Sequence, residues 1–240
     1  KVEYLNLPTT VTLSRYEAEV AAGAKTADII FNADPAGTHS LAVKAGRSVL
    51  HYSVEEKFYP ESFSIRGRIF SPCVSAVAMM INSKLLPANK IPKGFGDLAR
   101  LVSEDPAFWK GKVSGYDFRL AVPNWLSKFG QTFGDEKVIG WFRTYKQNSD
   151  YKMYSSTGII AEGVAAGQFY VGFGAIAPMI TVQQKTGNIT SFVFPEEGTY
   201  LYPGVMFITD KGSNPNAARL FVDYHLSREG QAVQLSLIHI

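Results

Sequence analysis

The sequence predicts an α/β fold in which helices cover the faces of mostly parallel sheets. Strand-like and helix-like segments alternate over residues 2–46, an order typical of such sheets. The segment 28–32 is short and mostly apolar, as buried parallel strands are. Near the other end, the pattern over 214–226 places Ala, Phe, Val and Leu on one face of a helix, and we expect that face to pack on a core.

Local signals predict the first strand and the first helix. Residues 2–7 alternate apolar and polar side chains, which is typical of a strand, and Pro8 interrupts the pattern. Ser14 is the predicted N-cap of a helix over 15–22, and Gly23 ends that helix.

Apolar periodicity and turn residues predict the later elements. Pro72, near the start of the long apolar segment 70–82, disfavours a continuous helix there, but Val74, Val77 and Ile81 are compatible with either a strand or a helix. Asn214 and Pro215 are residue types preferred at the N-cap and first position of a helix. The remaining predictions are helices over 40–44, 95–101, 125–129, 136–148, 157–166 and 214–226, and strands over 28–32, 169–173, 189–194 and 203–208.

Composition excludes several classes of function. Hydrophobic residues make up 46% and charged residues 19% of the 240 residues, which is ordinary for a soluble globular protein. The net charge of +3 comes from scattered Lys and Arg, so no nucleic-acid partner is expected. No apolar stretch of about 18 residues is present, so no membrane insertion is expected. Cys73 is the single cysteine, which excludes an intramolecular disulfide and a cysteine-rich metal site.

Two blocks in the last third of the sequence resemble a known family. The first, GIIAEGVAAGQFYVGFG over 158–174, has the pattern of a small-residue helix that leads into an apolar strand. The second, PEEGTYLYPGVMFITDKGSNPNAARLFVDYHLSREGQ over 195–231, has the pattern of a strand, a turn and an amphipathic helix. A tryptophan followed by KGKV over 109–113 adds a further match. Together they resemble the extracellular solute-binding proteins of ABC importers, in the group that includes ferric-ion and polyamine binders.

The resemblance implies a two-lobed, type II periplasmic-binding-protein-like fold. Lobe one would comprise residues 1–74 and 204–234, and lobe two residues 75–203, with 70–82 as a strand that crosses between them. The lobes would close about a hinge on a small solute in the cleft between them. Permease subunits of the importer would then recognise the closed form.

The resemblance also sets expectations about the ends of the chain and its location. Family members usually carry a strand and a helix before the position of Lys1, and a signal peptide before those, so the start looks cut. The apolar segment 235–240 is expected to be a non-native tail behind a helix that has already ended. A monomer in the periplasm or outside the cell is expected.

The predicted solute contacts follow strands or start helices, where open α/β sheets bind ligands. Each has an ordinary structural alternative: a turn, an N-cap or packing at the lobe interface. Lobe one contributes three predicted contacts, and lobe two the others. They are Thr9, Thr10 and Asp34, and then Tyr116, Asp117, Ser156, Thr157, Gly174, Ala175 and Tyr200.

Two classes of solute stay open. Hydroxyl groups and a helix start favour an anionic or oxygen-rich solute. Asp34, Asp117, Glu197 and the tyrosines suit a cationic, polyamine-like one. The ferric binders carry adjacent tyrosines in the loop that corresponds to 175–179, and this chain has none there. No bound metal and no cofactor are therefore expected.

Two other functions compete with transport. Gly172, Gly174 and Ala177 form a GxGxxA motif, and Glu196 follows the next predicted strand, as in an NAD(P)-dependent oxidoreductase. The alternative is a tight turn in which small residues let the backbone pack closely. The same fold could also serve as the ligand-sensing domain of a signalling protein. No nucleophile or acid–base motif is found, so the chain is not expected to be an enzyme.

Overall fold

A computed structural model describes residues 2–5, 7, 9–117, 130–154, 156–176 and 190–239. The chain divides into two compact units. The first comprises Lys1–Val74 and Tyr202–His239, and the second Ser75–Leu201. Among the described residues, no helix is long and apolar enough to span a membrane.

The helices and strands follow one another in a mixed order. The helices are α1 (Thr9–Ala21), α2 (Pro35–His39), α3 (Phe95–Glu104), α4 (Pro106–Trp109), α5 (Asp135–Ser149), α6 (Thr157–Ala165), α7 (Pro215–Leu226) and α8 (Arg228–His239). The strands are β1 (Ile29–Asn32), β2 (Phe70–Asn82), β3 (Val113–Tyr116), β4 (Lys152–Tyr154), β5 (Val171–Ile176), β6 (Thr190–Val193) and β7 (Leu201–Ile208). A π-helical turn, Ser40–Lys44, continues α2, at the place where a short helix was predicted.

The N-terminal prediction is wrong in two respects. The described residues among 2–7 form no strand, and helix α1 begins at Thr9, six positions before the predicted start. Ser14 is not an N-cap, because it lies within helix α1. Its hydroxyl donates to the carbonyl of Val11 at 3.1 Å. Alternation over so short a segment does not form a strand unless a neighbouring strand pairs with it.

The other elements predicted among the described residues overlap the observed ones, and their ends differ by up to three residues. Strand β2 covers the whole predicted segment 70–82, and α5, α6 and α7 differ from their predictions by one residue at an end. The predicted helix over 125–129 lies outside the described residues. The segment 235–240 was predicted to follow a completed helix, but helix α8 continues through it as far as His239.

The sheet of the first unit contains an antiparallel pair. Strand β1 pairs with β7, with Ile30 opposite Phe207 and Asn32 opposite Val205. One face of this pair buries Ile30 and Phe207 in a cluster with Tyr16 of α1. The other face carries Met206 and Ile208, which pack with residues of α7 such as Val222. Helices therefore cover both faces of the pair.

The sheet of the second unit combines both strand directions. Strand β3 is parallel to β4 and to β5, whereas β2 is antiparallel to β5 and to β6. The α/β class is confirmed, and the described part of this sheet is mixed, with two parallel and two antiparallel strand pairs. The reason is that β2 and β7 carry the chain from one unit to the other. A strand that enters a unit in this way need not share the direction of the strands that successive helices connect.

Aromatic side chains fill the core of the second unit. Trp109, Tyr145 and Phe173 are fully buried between the sheet and helices α3 and α5. Phe173 stacks on Tyr151 at 5.2 Å between ring centroids and meets Phe95 edge to face at 6.0 Å. These contacts connect the sheet to both helices, so the positions of β3 and β5 depend on them.

A buried tyrosine connects α1 to the far end of the chain in the first unit. The hydroxyl of Tyr16 donates to Asp210 at 2.5 Å, and Arg47 pairs with the same carboxylate at 3.3 Å. Burial first, and then the hydrogen bond and charge of Asp210, raise the pKa of Tyr16 from 10.0 to about 12.

This pKa predicts a loss of stability at alkaline pH. Between the unfolded pKa and the raised folded pKa, the folded state keeps the phenol proton and the unfolded state has lost it. Below pH 10.0, ionisation of Tyr16 should therefore add no pH dependence to the free energy of unfolding. As the pH rises from 10.0 towards 12, the free energy of unfolding should fall. Urea unfolding at several pH values measures this slope. Tyr16→Phe should make the slope shallower, and an unchanged slope would contradict the assignment.

Candidate functional site

The candidate site lies at one edge of the sheet in the second unit. In the parallel register, Tyr116 lies opposite Tyr154, and Gly115 lies opposite Phe173. The carboxyl ends of β3, β4 and β5 therefore meet at the same edge, where open α/β sheets bind ligands. The predicted contacts within or just after the last residues of these three strands are brought together here. They are Tyr116, Asp117, Ser156, Thr157, Gly174 and Ala175.

Tyr116 is the last residue of strand β3, and Asp117 follows it. The backbone N–H of Asp117 donates to the carbonyl of Tyr154 at 2.8 Å, which holds the end of β3 beside the end of β4. Asp117 is only 6% exposed, so its carboxylate is largely removed from water. Burial, and then the charge of Asp117, raise the pKa of the Tyr116 phenol. At neutral pH Tyr116 is therefore a neutral hydroxyl that can donate and accept a hydrogen bond.

A second tyrosine, Tyr151, lies beneath this edge. Its ring is 4% exposed, and its hydroxyl has no hydrogen-bond partner among the described residues. Burial, and then the charge of Asp117, raise the pKa of Tyr151 strongly. A Cβ atom added at Gly115 would lie 2.6 Å from the Tyr151 hydroxyl, so the glycine makes room for it. Nothing in the sequence around Tyr151 singles it out, because no local pattern marks a buried hydroxyl.

The start of helix α6 follows strand β4. Ser156 is its N-cap, with an extended backbone, and its hydroxyl accepts from the N–H of Gly158 at 3.2 Å. The ordinary structural role predicted as an alternative for Ser156, that of a helix N-cap, is thus present. Ser156 is also exposed, and Thr157 begins the helix. The first turn of a helix presents backbone N–H groups and a positive dipole end, which together suit an anion or a carbonyl oxygen.

Gly174 is a bulge at the end of β5. Ala78 of β2 pairs with Ala175 and the next residue, Met79, pairs with Phe173, so the register skips Gly174. Its φ is +87°, a left-handed conformation that favours glycine. A Cβ atom there would lie 2.9 Å from the Cβ of Tyr116. The bulge therefore allows Tyr116 to lie close against the backbone of β5.

The predicted contacts of the first unit lie at the starts of helices. Thr9 and Thr10 do not follow a strand, because they begin helix α1. Asp34 caps α2: its carboxylate accepts from the N–H of Gly37 at 3.0 Å. The turn that places Asp34 is itself held by Asn32, whose amide oxygen accepts from the N–H of Asp34 at 2.6 Å.

Two residues of the segment 195–200 are bonded to other parts of the second unit. The carbonyl of Tyr200 accepts from the N–H of Val77 at 3.0 Å, so the backbone of this predicted contact is held on β2. The carboxylate of Glu197 accepts from the N–H groups of Phe95 at 3.1 Å and Gly96 at 2.7 Å. Glu197 was considered as a ligand for a cationic solute, but its carboxylate serves the start of helix α3.

The GxGxxA motif does not form the turn that a dinucleotide site requires. Gly172 and Gly174 both lie within strand β5, whereas the dinucleotide motif places its glycines between a strand and a helix. A Cβ atom at Gly172 would meet Ile160 and Val164 of α6. This glycine therefore allows close packing between helix and sheet, as the alternative interpretation expected of small residues, but it lies in a strand and not in the predicted tight turn. Ala177 lies outside the described residues.

Among the described residues, no group of three or more His, Cys, Asp or Glu side chains could hold a metal ion. The geometry of the edge offers a neutral phenol, a buried carboxylate, a capping hydroxyl and the amides of a helix start. Such groups bind a polar solute through hydrogen bonds and charge.

Comparison with known proteins identifies the family. The family model for bacterial extracellular solute-binding proteins matches residues 47–235 of this chain. The chain belongs to this family. An uncharacterised protein of Haemophilus influenzae is 29% identical over 149 residues, which are 61% of this chain and 40% of that relative. The match thus spans less than half the length of that relative.

Solved structures show that this chain shares the fold of type II periplasmic binding proteins. The substrate-binding protein of an ABC transporter from Agrobacterium tumefaciens has a TM-score of 0.85 at 18% identity, over 96% of this chain and 68% of its own. The periplasmic binding protein AfuA from Actinobacillus pleuropneumoniae, with fructose-6-phosphate bound, has a TM-score of 0.76 at 22% identity, over 98% and 74%. A two-component system protein in signal transduction has a TM-score of 0.74 at 19% identity, over 100% and 76%. The predicted family and fold are confirmed.

The bulge predicts the effect of a single methyl group. Gly174→Ala should destabilise the protein by about 1–3 kcal/mol, because alanine is strained at this φ and its Cβ would press on Tyr116. Gly140→Ala is the matched control. Gly140 lies within α5 with nothing near its Cβ position, so the same change should stabilise by about 0.5–1 kcal/mol. Urea unfolding measures both, and equal effects would contradict the prediction.

Proposed function

We propose that this chain is the solute-binding component of an ABC importer, which binds a small solute outside the cytoplasm and delivers it to permease subunits. Family membership supports a periplasmic or extracellular location. The observation that carries the proposal is the convergence of three strand ends at one sheet edge, where the register brings together Tyr116, Asp117 and the start of α6. Nothing in the proposal requires a reaction, so we propose a carrier and not an enzyme.

The solute that this edge favours is anionic or rich in oxygen atoms. The N-terminus of α6 and the neutral phenol of Tyr116 offer donors, and both suit carboxylate, phosphoryl or hydroxyl oxygens. The cationic alternative is weakened, because two of the carboxylates considered for it, those of Asp34 and Glu197, cap helices. Iron held by adjacent tyrosinates is disfavoured by the absence of tyrosine over 175–179.

The predicted contacts stand in this proposal with different roles. Tyr116, Ser156 and Thr157 would contact the solute directly, and Asp117 would orient groups around it. Gly174 would let Tyr116 lie close to the backbone of β5, and Ala175 stays a predicted solute contact beside it. Thr9, Thr10, Asp34 and Tyr200 stay predictions as further solute contacts.

A ligand-sensing domain is the second candidate function. The two-component system protein shares the fold over the whole of this chain, so the architecture serves signalling proteins as well as carriers. Both candidates bind a solute at the same edge. The complete reading frame separates them: a signal peptide supports a carrier, and a transmembrane helix with a signalling domain supports a sensor.

A screen of solutes tests the proposal directly. The purified chain is heated with organic acids, sugar phosphates, phosphonates, sugars, amino acids, polyamines, ferric complexes or dinucleotides. A solute at about 100 times its Kd should add roughly 2.7 kcal/mol to the free energy of unfolding and so raise the melting temperature. We expect a hit among anionic or oxygen-rich solutes, confirmed by calorimetry. A hit only with dinucleotides, or no binding by any transportable solute, would contradict the proposal.

The N-cap serine predicts a specific loss of affinity. Ser156→Ala should raise the Kd for the solute about tenfold, because the helix start loses a hydroxyl and its fixed first turn. Ser227→Ala is the matched control, since the Ser227 hydroxyl accepts from the N–H of Gly230 at 3.1 Å beside the start of α8 in the first unit. Both changes should lower stability by about 1 kcal/mol. Calorimetric titration should show a weaker Kd for Ser156→Ala alone.

A further inference from the structure

We infer that Glu197 is a positioning residue for solute binding: by occupying the start of helix α3, it holds the segment that carries Tyr200 and leads into strand β7. The inference rests on the proposed function, in which Tyr200 is a predicted solute contact. It concerns residues of the second unit alone.

The carboxylate of Glu197 is bound at a site that is shaped for it. Its two oxygens accept from separate backbone donors, the N–H groups of Phe95 and Gly96, at 3.1 and 2.7 Å. These groups belong to the first turn of α3, whose N–H groups have no acceptor within the helix. A Cβ atom at Gly94 would overlap the carboxylate, and one at Gly96 would lie 3.2 Å from it. Both glycines thus leave room for Glu197.

The same helix start is tied to the core. The carbonyl of Phe95 accepts from the hydroxyl of Tyr145 at 2.6 Å, and Tyr145 is fully buried. Burial, and then the charge of Glu197, raise the pKa of Tyr145, which places the carboxylate within electrostatic reach of this phenol. Glu197 is therefore bonded to a helix that cannot move without disturbing the core.

The residues that follow Glu197 are hydrogen-bonded to strand β2. The Thr199 hydroxyl donates to the carbonyl of Val77, and the N–H of Val77 donates to the carbonyl of Tyr200. Strand β7 begins at the next residue, Leu201. The Glu197 carboxylate holds one end of the five residues 196–200, together with the N–H of Glu196, which donates to the carbonyl of Lys93 at 2.9 Å. The bonds to β2 hold the other end. Between them Gly198, with a φ of +117°, supplies a conformation that other residues rarely adopt.

A capping carboxylate with only a local structural role would affect stability alone. Glu197 differs, because the helix it caps lies about a hundred residues away in the sequence and its own segment leads to the predicted contact. Loss of its charge should loosen 196–200, because only the bond from Glu196 to Lys93 then holds that end, and should let Tyr200 shift. An altered position of one contact is enough to weaken binding while the fold persists.

The experiment compares three conservative variants. Glu197→Gln keeps the shape and removes the charge. Asp97→Asn makes the equivalent change at the other acid of the α3 start, whose carboxylate accepts from the N–H of Lys93 at 3.0 Å. Asp97 thus reaches 196–200 only through Lys93, whose carbonyl accepts from the N–H of Glu196. Glu196→Gln makes the same change as Glu197→Gln, but one residue away at an exposed side chain.

Two measurements are made on each variant. The first is hydrogen exchange of the Val77 amide without solute, which reports the bond to Tyr200. We expect faster exchange in Glu197→Gln than in Asp97→Asn or Glu196→Gln. The second is the Kd for the solute found in the screen, which should rise about tenfold in Glu197→Gln and by less than about twofold in the other two.

The outcomes separate this inference from the proposed function. If Glu197→Gln lowers the melting temperature but leaves both the exchange of Val77 and the Kd unchanged, Glu197 only caps a helix and the inference is wrong. The same conclusion follows if Asp97→Asn raises the Kd equally. If the unmodified chain binds no solute, the proposed function fails, and the exchange measurement alone still decides whether Glu197 holds the segment.

Discussion

The parallel pairing of β3 with both β4 and β5 is the constraint on which the candidate site depends. Because all three strands run in one direction, their carboxyl ends reach one edge, and whatever follows each strand lies beside its neighbours. Tyr116 and Asp117, the start of α6 and Gly174 are far apart in the sequence. The register makes them adjacent, and the bond from Asp117 to Tyr154 shows that the pairing continues to the end of the strands.

Glycines let this sheet carry large aromatic side chains. Gly115 of β3 leaves room for the rings of Phe173 and Tyr151, and Gly172 of β5 leaves room for α6. Glycine weakens a strand when considered alone, because it loses more backbone entropy and offers no side chain to pack. Here the aromatic and aliphatic groups of neighbouring elements occupy the vacated space, so burial of apolar surface offsets the entropic cost.

The carboxylates show why acidic residues are difficult to interpret from sequence. Asp34 and Asp105 cap the helices that follow them, and Glu197 serves a helix from a distant part of the chain. A short-range cap can be predicted, since the acid stands just before a helix and Pro occupies the first position. The role of Glu197 depends on a contact between segments about a hundred residues apart, and no local pattern records it.

The sequence by itself determined the family, the α/β class, and helices α5, α6 and α7 to within one residue at their ends, whereas strand β2 followed only from the family resemblance. Those elements have strong apolar periodicity or clear caps, and such signals are local. It also marked Tyr116, Ser156 and Gly174, although not their roles. Only the tertiary structure decided that α1 begins at Thr9, that β2 is antiparallel to β5, and that Tyr151 and Glu197 lie beneath or beside the predicted contacts. Strand direction, burial and long-range hydrogen bonds arise from pairing between distant segments, so no window of neighbouring residues contains them.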